Sequence, residues 1–273
     1  MKNLRDRRVI VTGAASGIGR GTALAFAMEG CRLVLVDIDE GGLASVESEV
    51  RAIGAECSSF IVDVTDAAQV ERLATTLGES GGVDVLANVA GVCVVSDFVD
   101  TPLEDWRWVM GVNLWGPIHM SRAFLPAMIS RRSGHIVNVA SAGGLVSFAM
   151  LGSYCTTKFA LVGLSEAIRQ EVHADGIGVT VVCPGVTNTP IVGAARITGY
   201  SREKLEAFIR PVMHRSMSAE RTGELLVRAV KKNSPLVVTG ITAKVLVLLN
   251  RWAPRLVRAF MGSTKTGVAR LYT

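Results

Sequence analysis

A glycine-rich turn near the start of the chain limits the fold more than any other stretch. Residues 12–21 read T-G-A-A-S-G-I-G-R-G, after a short apolar run and before a helix-like run. Glycines at 13, 17 and 19 let the backbone turn tightly, and the following helix offers free N–H groups and the positive end of its dipole. A strand, a glycine turn and a helix in this order predict a site for the pyrophosphate of a dinucleotide.

Apolar runs and helix-like segments alternate along the rest of the chain. Strand-like runs end near residues 37, 64, 88, 139 and 183, and amphipathic or helical segments lie between them. This alternation predicts an α/β fold with a doubly wound parallel sheet of about seven strands flanked by helices. The length of 273 residues suits one large domain. We expect a catalytic domain over residues 1–240 and a basic, amphipathic C-terminal extension of the same domain over 241–273.

An acidic residue ends the second predicted strand. Asp37 follows R-L-V-L-V, eighteen residues past Gly19. A carboxylate at this place accepts hydrogen bonds from the hydroxyls of an adenosine ribose. It would also repel a 2′-phosphate, and Ile38 rather than a cation follows it, so the charge favours NAD over NADP. The alternative is a solvated carboxylate in a turn.

Tyr154 and Lys158 stand four residues apart in a helix-like segment, so their side chains share one face. A free phenol titrates near ~10, and a nearby cation lowers that pKa toward the range of general acid–base catalysis. Ser141 ends an apolar run, which places it at the carboxyl edge of the sheet, where such folds bind ligands. Asn113 interrupts an apolar helix and is either a satisfied core amide or a catalytic group.

Composition narrows the function classes. The chain is 49% hydrophobic and 19% charged, so it is globular, and its net charge of +5 permits nucleic-acid or membrane contact without requiring it. The five cysteines include no C-x-x-C motif, which indicates a reducing compartment. The four histidines lack the spacing of metal ligands, so we expect no metal site. The N-terminus does not read as a signal peptide, and no run of ~18 apolar residues occurs. We expect a cytoplasmic protein that binds no nucleic acid.

The C-terminal stretch 241–261 reads as a helix with a kink at Pro254. A basic stripe lies opposite an apolar face, and the two sets are Lys244, Arg251, Arg255 and Arg258 against Leu249, Trp252, Ala253, Leu256 and Phe260. This pattern is typical of a helix lying on a membrane, which would give peripheral membrane contact through 241–261. The other interpretation, which we favour, is that the apolar face covers the substrate pocket or a subunit interface of a homo-oligomer, a dimer or tetramer.

Together these motifs resemble the short-chain dehydrogenase/reductase family, in the family's order, over roughly residues 5–240. Its T-G-x-x-x-G-x-G motif falls on residues 12–19, and its N-N-A-G motif on residues 88–91 with Val89 in place of the second asparagine. Its remaining motif positions fall on Asp37, Asp63, Asn113, Ser141, Tyr154, Lys158, Pro184, Gly185 and Thr189.

The resemblance implies a single-domain Rossmann fold, an NAD cofactor and hydride transfer between the nicotinamide and a secondary alcohol or ketone. Ser141 would bind the substrate oxygen and Tyr154 would exchange its proton. Lys158 would lower the pKa of Tyr154 and hold the nicotinamide ribose, and Asn113 would order a water. The expected cofactor contacts are Gly13, Ser16, Gly17, Ile18, Gly19, Asp37, Asp63, Val64, Asn88, Ala90, Gly91, Tyr154, Lys158, Pro184, Gly185, Thr187 and Thr189.

A turn-rich apolar stretch follows the sixth predicted strand, and we expect a substrate lid near residues 186–215. Its apolar members are Ile191, Val192, Ala194, Ala195 and Ile197. They favour a lipophilic substrate of steroid-, retinoid- or acyl-like character, while Arg196 would meet a carboxylate or the phosphates of a thioester. Two alternatives stay open: an NAD-binding regulator or membrane-surface adaptor with little turnover, and a ketoacyl reductase that prefers NADPH.

Overall fold

The computed structural model of the chain describes residues 1–268, with side chains up to residue 262. Its centre is a seven-stranded sheet in which every neighbouring pair is parallel, in the order β3-β2-β1-β4-β5-β6-β7. The strands are β1 Arg8–Thr12, β2 Arg32–Asp37, β3 Cys57–Ile61, β4 Val85–Asn88, β5 Gly134–Val139, β6 Ile177–Pro184 and β7 Leu236–Thr239. This order confirms the doubly wound Rossmann fold, whose strand order reverses beside β1.

Helices connect the strands and cover both faces of the sheet. They are α1 Gly17–Met28, α2 Glu40–Ala52, α3 Ala67–Glu79, α4 Leu103–Met110, α5 Gly116–Arg131, α6 Gly152–Glu171, α7 Arg202–His214, α8 Ala219–Lys232, α9 Ile241–Trp252 and α10 Pro254–Val268. A single π-helical turn, Gly111–Trp115, joins α4 to α5. Aspartates set two helix starts, because Asp39 accepts from the Gly42 N–H and Asp66 from the N–H groups of Ala68 and Gln69.

Alternate residues of each central strand enter opposite layers of the core. In β1, Val9 and Val11 pack with α1, α2 and α8, whereas Ile10 packs with α3 and α5 on the other face. Because both faces are covered, the central strands β1, β2 and β4 are mostly apolar, as in other parallel sheets, whereas the edge strand β3 is partly exposed. Each fully buried side chain of this size contributes about 1.5–3 kcal/mol.

Helix α1 crosses α8 with the two backbones in contact. A Cβ at Gly21 would lie 2.4 Å from the Ala219 oxygen, and a Cβ at Gly223 would lie 2.3 Å from the Gly21 oxygen. One ion pair, between Arg20 and Glu220 at 2.7 Å, joins the two helices beside this crossing. The crossing holds the helix that follows the glycine turn against the last third of the chain.

The predicted lid, residues 186–215, is an ordered substructure. Thr187–Asn188 pairs with Met217–Ser218, and Arg196–Ile197 pairs with Val94–Val95. A small apolar cluster lies beneath the lid and includes Cys93, Val95, Ala195, Tyr200 and Leu205. The lid therefore has a core of its own beside the main sheet.

The C-terminal stretch differs from its prediction in two ways. It forms two helices, because Pro254 lacks an N–H and begins α10 instead of kinking a continuous helix. Leu249, Trp252, Leu256 and Phe260 are all exposed, Trp252 by 78%. The part of our interpretation in which the body of the monomer covers this apolar face is therefore wrong, and the part in which a subunit interface covers it stays a prediction. No helix within residues 1–268 has both the length and the hydropathy to cross a bilayer.

Candidate active site

The glycine turn is packed too closely for any side chain at two of its positions. Gly13 has a φ of +65°, and a Cβ there would lie 2.7 Å from the Cα of Ala90. A Cβ at Gly19 would lie 1.8 Å from the Gly13 oxygen. The Thr12 hydroxyl accepts from the N–H groups of Val89 and Ala90 at 3.0 and 3.1 Å, which ties the turn after β1 to the end of β4. The result is a groove whose floor is bare backbone.

The N-terminus of α1 opens into this groove. Ser16 precedes the helix in an extended conformation, and within the described chain its side chain makes no capping hydrogen bond. The first turn, with Gly17, Ile18 and Gly19, lines the cavity. Uncapped N–H groups at the positive end of a helix dipole bind anions such as a pyrophosphate.

Asp37 ends β2 at the edge of the same groove. One of its carboxylate oxygens accepts from the N–H of Ala15 at 3.0 Å, and the other from those of Ile38 and Asp39 at 2.8 and 3.1 Å. These three amides fix the carboxylate and leave lone pairs for further donors. Among the described residues that line the cavity, Lys158 is the one lysine or arginine, and it lies at the other end.

Asp63 and Val64 form the next part of the wall. Strand β3 ends at Ile61, three residues earlier than the sequence pattern predicted, so Asp63 and Val64 both lie in the loop that follows. The Asp63 carboxylate accepts from the Thr65 N–H at 2.8 Å. Both residues line the cavity, at the position expected for the adenine end of a dinucleotide.

Helix α6 places Tyr154 and Lys158 one turn apart at the opposite end of the cavity. The Lys158 Nζ lies 5.6 Å from the centre of the Tyr154 ring and donates to the Val139 oxygen at 3.0 Å. A Cβ at Gly91 would lie 3.4 Å from both the Lys158 Nζ and the Asn113 Oδ1, so these three residues meet.

The pKa of Tyr154 differs from the sequence prediction. Burial raises this pKa above its ordinary value, the nearby Cys93 acts in the same direction, and the Ser141 hydroxyl opposes them. Burial also lowers the pKa of Lys158 to about 8. The prediction that Lys158 brings the tyrosine pKa below its usual value is wrong for this structure, because the low-polarity pocket disfavours the charged form of both groups.

Ser141 follows β5 and lies beside Tyr154. A Cβ at Gly143 would lie 3.4 Å from the Ser141 Oγ and 3.5 Å from the Tyr154 Cε1. The Ser141 hydroxyl accepts from the Gly143 N–H at 3.0 Å, which leaves its proton for another acceptor. The serine and tyrosine hydroxyls therefore belong to one site.

Asn113 is a satisfied core amide. It is fully buried in the π-helical turn, and its Oδ1 accepts from the Val92 N–H at 2.8 Å. Its Nδ2 donates to the Val92 oxygen at 2.9 Å and to the Thr157 hydroxyl at 3.2 Å. The side chain thus holds the cavity wall at Val92, and its role in ordering a water stays a prediction. The sequence pattern gave no signal for Thr157.

One cavity of about 450 Å³ connects the glycine turn with Tyr154 and the lid. The predicted site residues on its wall are Gly13, Ser16, Gly17, Ile18, Gly19, Asp37, Asp63, Val64, Ala90, Gly91, Tyr154, Lys158 and Thr189. The predicted residues that do not line it are Asn88, Asn113, Ser141, Pro184, Gly185 and Thr187. For the residues of both sets, contact with a cofactor or substrate stays a prediction. Asn88 is buried and donates to Asn138 at 2.8 Å.

The wall near Tyr154 also includes apolar residues that the motifs did not indicate, among them Val92, Cys93, Trp108, Val112 and Pro190. Ile191 and Ala194 of the lid complete this wall. Arg196, expected to meet a charged substrate group, instead pairs with Asp105 at 2.8 Å and lies 4.0 Å from the centre of the Trp108 ring. It fixes Trp108 in the wall.

Comparison with known proteins places the chain in a family. Residues 7–198 match the family model described as short chain dehydrogenase. The probable oxidoreductase EphD of Mycobacterium tuberculosis is 37% identical over 262 residues, which are 93% of this chain and 44% of that protein. The chain thus spans less than half the length of this relative.

Two further relatives are similar over most of their length. The 1-deoxy-11-beta-hydroxypentalenate dehydrogenase of Streptomyces avermitilis is 37% identical over 69% of this chain and 72% of its own. A short chain dehydrogenase/reductase from Burkholderia phymatum, solved in complex with NAD, is 32% identical with a TM-score of 0.84, over 94% of this chain and 96% of that one. The glycine turn, the tyrosine–lysine pair and these similarities lead to one conclusion: the chain belongs to the short-chain dehydrogenase/reductase family.

Proposed function

We propose that the chain is an NAD-dependent oxidoreductase that transfers a hydride between the nicotinamide and a lipophilic secondary alcohol or its ketone. One observation carries this proposal: a single cavity joins an anion-binding helix N-terminus to the Tyr154–Lys158 pair. A protein that only bound the dinucleotide would not need an acid–base pair at the far end of the same cavity.

The groove fits a dinucleotide. The missing side chains at Gly13 and Gly19 let the turn pack tightly against Ala90 and against itself. The N-terminus of α1, which follows this turn, offers N–H donors to a pyrophosphate. Asp37 would accept from the hydroxyls of the adenosine ribose, and Asp63 and Val64 would border the adenine. A bound nicotinamide supplies or accepts the hydride, and the protein supplies position and electrostatics.

Tyr154 would move the proton. In the direction of reduction its phenol donates to the ketone oxygen, and a raised pKa keeps that proton available. In the direction of oxidation the phenolate must accept the alcohol proton, which a charged Lys158 nearby favours. With a pKa of about 8, Lys158 is mostly charged at neutral pH. Ser141 would hold the substrate oxygen beside the tyrosine.

The apolar wall supports the lipophilic substrate. Cys93, Trp108, Ile191 and Ala194 surround the space next to Tyr154. Since Arg196 is paired with Asp105, the described wall near the tyrosine offers Lys158 as its one cationic group. The Streptomyces relative, named for a hydroxypentalenate, is consistent with this substrate class.

The substitution Tyr154→Phe tests the catalytic assignment. We expect kcat with the best alcohol of a steroid, retinoid, hydroxyacyl and simple-alcohol panel to fall by about 10²–10⁴-fold, since the phenol proton is lost while its packing remains. Calorimetric titration should give NAD the same affinity in both proteins. A variant that kept more than about a tenth of the rate would exclude this role for Tyr154. Wild-type protein that bound NAD without any turnover would instead support the regulator alternative.

Asp37 tests the cofactor preference. We expect a higher kcat/KM with NAD than with NADP. Asp37→Asn should reduce the ratio of these two values, because it removes the negative charge of the carboxylate and keeps a side chain of the same shape. Asp37→Ala should in addition weaken NAD binding, since the ribose hydroxyls lose their acceptor. A wild-type enzyme with the higher kcat/KM for NADP would contradict the electrostatic argument and favour the ketoacyl reductase alternative.

A further inference from the structure

Helix α9 is amphipathic with its apolar face turned outward. Ile241, Val245, Leu248 and Trp252 follow one another at intervals of four, three and four residues, so they form one stripe along the helix. All four are exposed, Ile241 by 82% and Trp252 by 78%. A surface helix normally buries such a stripe. Leu256 and Phe260 of α10 are also exposed, by 73% and 65%, and extend the apolar area.

The opposite face of α9 is fixed to the body of the protein. Ala243 is buried, and a Cβ at Gly185 would lie 2.9 Å from the Ala243 Cβ. Two residues before the end of the helix, Asn250 donates from its Nδ2 to the Leu145 oxygen at 3.3 Å. Because these contacts orient α9, the apolar stripe cannot turn inward without breaking them.

Cations accompany the apolar stripe, and carboxylates do not. Residues 241–262 contain four cations, Lys244, Arg251, Arg255 and Arg258, and no aspartate or glutamate. All four are exposed, and within residues 1–268 none has a carboxylate partner. We call these ten residues, the six exposed apolar ones and the four cations, the α9–α10 surface.

We propose that the α9–α10 surface binds an anionic lipid bilayer. The apolar stripe inserts among the acyl chains at the headgroup boundary, Trp252 lies at the boundary itself, and the four cations meet headgroup phosphates. A symmetric contact with a second copy fits less well, because it would bring the same four uncompensated cations of each copy together.

Flotation of the full chain with vesicles tests the proposal. We expect the protein to float with vesicles of phosphatidylglycerol and phosphatidylcholine, to float poorly with phosphatidylcholine alone, and to be released by raised salt. The measurement does not involve turnover, so its outcome is separate from that of the proposed function. Equal binding to both vesicle types, or no binding to either, would overturn the proposal.

Two matched charge variants make the test specific to this surface. The first variant replaces the four cations of the α9–α10 surface with Gln. The second is the control and replaces four exposed arginines elsewhere with Gln, namely Arg72, Arg107, Arg122 and Arg228. Each cation near an anionic surface contributes about fivefold, so the first variant should bind on the order of 100-fold more weakly or worse, and the second should bind like wild type. Equal losses in the two variants would contradict the proposal.

The apolar part has its own readout. The Trp252 fluorescence should shift to shorter wavelength on anionic vesicles, and Trp252→Phe should remove the shift. Leu248→Ser combined with Trp252→Ser should reduce flotation at least tenfold, whereas Val99→Ser with Leu103→Ser, at exposed apolar sites elsewhere on the surface, should not. If the first pair instead dissociated an oligomer in sedimentation, and wild-type protein did not float, the surface would be a subunit interface and the proposal would be wrong.

Discussion

Lys158, which we propose acts at the active site, lowers the stability of the fold because its charge is buried. It is 3% exposed, and its pKa of about 8 lies below the ordinary 10.5. A lowered folded-state pKa means that stability is complete above the unfolded value of 10.5 and is lost as pH falls through about 8. At neutral pH, the difference between the folded and unfolded pKa values of Lys158 lowers the free energy of unfolding by about 3 kcal/mol.

We therefore expect Lys158→Met to increase the free energy of unfolding at pH 7 by about 2 kcal/mol while it abolishes turnover. The gain is smaller than 3 kcal/mol because the Val139 oxygen loses its donor, which costs about 1 kcal/mol. Urea unfolding between pH 7 and 10.5 measures the difference, which should shrink as pH rises. Lys244→Met, at an exposed position, is the control and should change little. A less stable Lys158→Met protein at pH 7 would contradict the expectation.

His135 makes the fold sensitive to acid. It is buried on β5, and its Nε2 lies 2.9 Å from the Thr180 hydroxyl, which itself donates to the Ser234 oxygen. Burial lowers the pKa of His135 to about 3, and the N-terminus and Arg169 act in the same direction. Its contribution to stability is thus complete above the unfolded value of 6.5 and is lost as pH falls toward 3.

We expect wild-type protein to lose about 3 kcal/mol more stability between pH 6.5 and 4 than His135→Gln, which keeps a donor for Thr180 and cannot be protonated. Denaturant unfolding at several pH values in this range gives the comparison. His173→Gln, on an exposed histidine, should follow wild type. Parallel pH profiles for wild type and His135→Gln would exclude His135 as the cause.

The identity and chain order of the candidate site residues could be predicted from the sequence, but their pKa values and hydrogen-bond partners could not. Motif spacing placed Tyr154 and Lys158 together because four residues on a helix bring side chains onto one face. The direction of the Tyr154 pKa depended on burial beneath the lid, which spacing does not report. The partners of Asn113 depended likewise on a hydroxyl, Thr157, that reaches it from another element.

At the scale of elements, the contact between α1 and α8 has no room for a side chain. Gly21→Ala would place a methyl group 2.4 Å from the Ala219 oxygen, so the two helices must move apart. We expect the free energy of unfolding of this variant to be lower by about 2 kcal/mol or more, which is typical of overpacked interiors. Because α1 carries the glycine turn, we also expect weaker NAD binding. Thermal unfolding and calorimetric titration measure the two effects.

The control is the same substitution at an open helix position. Apart from its chain neighbours and the nearby backbone of α6 itself, no described atom lies within 4 Å of a Cβ at Gly163. Gly163→Ala should therefore stabilise the protein by about 0.5–1 kcal/mol, through helix propensity and lower entropy of the unfolded chain. A Gly21→Ala protein as stable as Gly163→Ala would show that the helices separate at no cost.

The boundaries of most elements followed from local signals, and those of the C-terminal stretch did not. Asp39 and Asp66 begin helices where their capping chemistry predicts. The stripe of Ile241, Val245, Leu248 and Trp252 has the period of a buried helix face, yet it is exposed. Periodicity reports that one side of a helix is apolar, but it does not report whether that side faces a protein core, another molecule or solvent.

At the scale of the whole molecule, the fold could be predicted because the strands are covered on both faces. Parallel strands of this kind are mostly apolar and alternate with helices, so their approximate number and the doubly wound arrangement can be recognised from the sequence. The shape of the lid and the apolar wall around Trp108 could not be recognised in this way. They arise where residues near 95, 105 and 196 come together, and no local pattern links those segments.

The contact between α1 and α8 also determines how late in synthesis the fold can be completed. Arg20 and its partner Glu220 are 200 residues apart, which a ribosome translating 5–20 residues per second needs roughly 10 to 40 s to cover. During that interval α1 has emerged, but the helix that covers its glycine face does not yet exist. The glycine face of α1 therefore stays uncovered during this interval. The contact between α1 and α8 can form only after the end of α8 has left the ribosome.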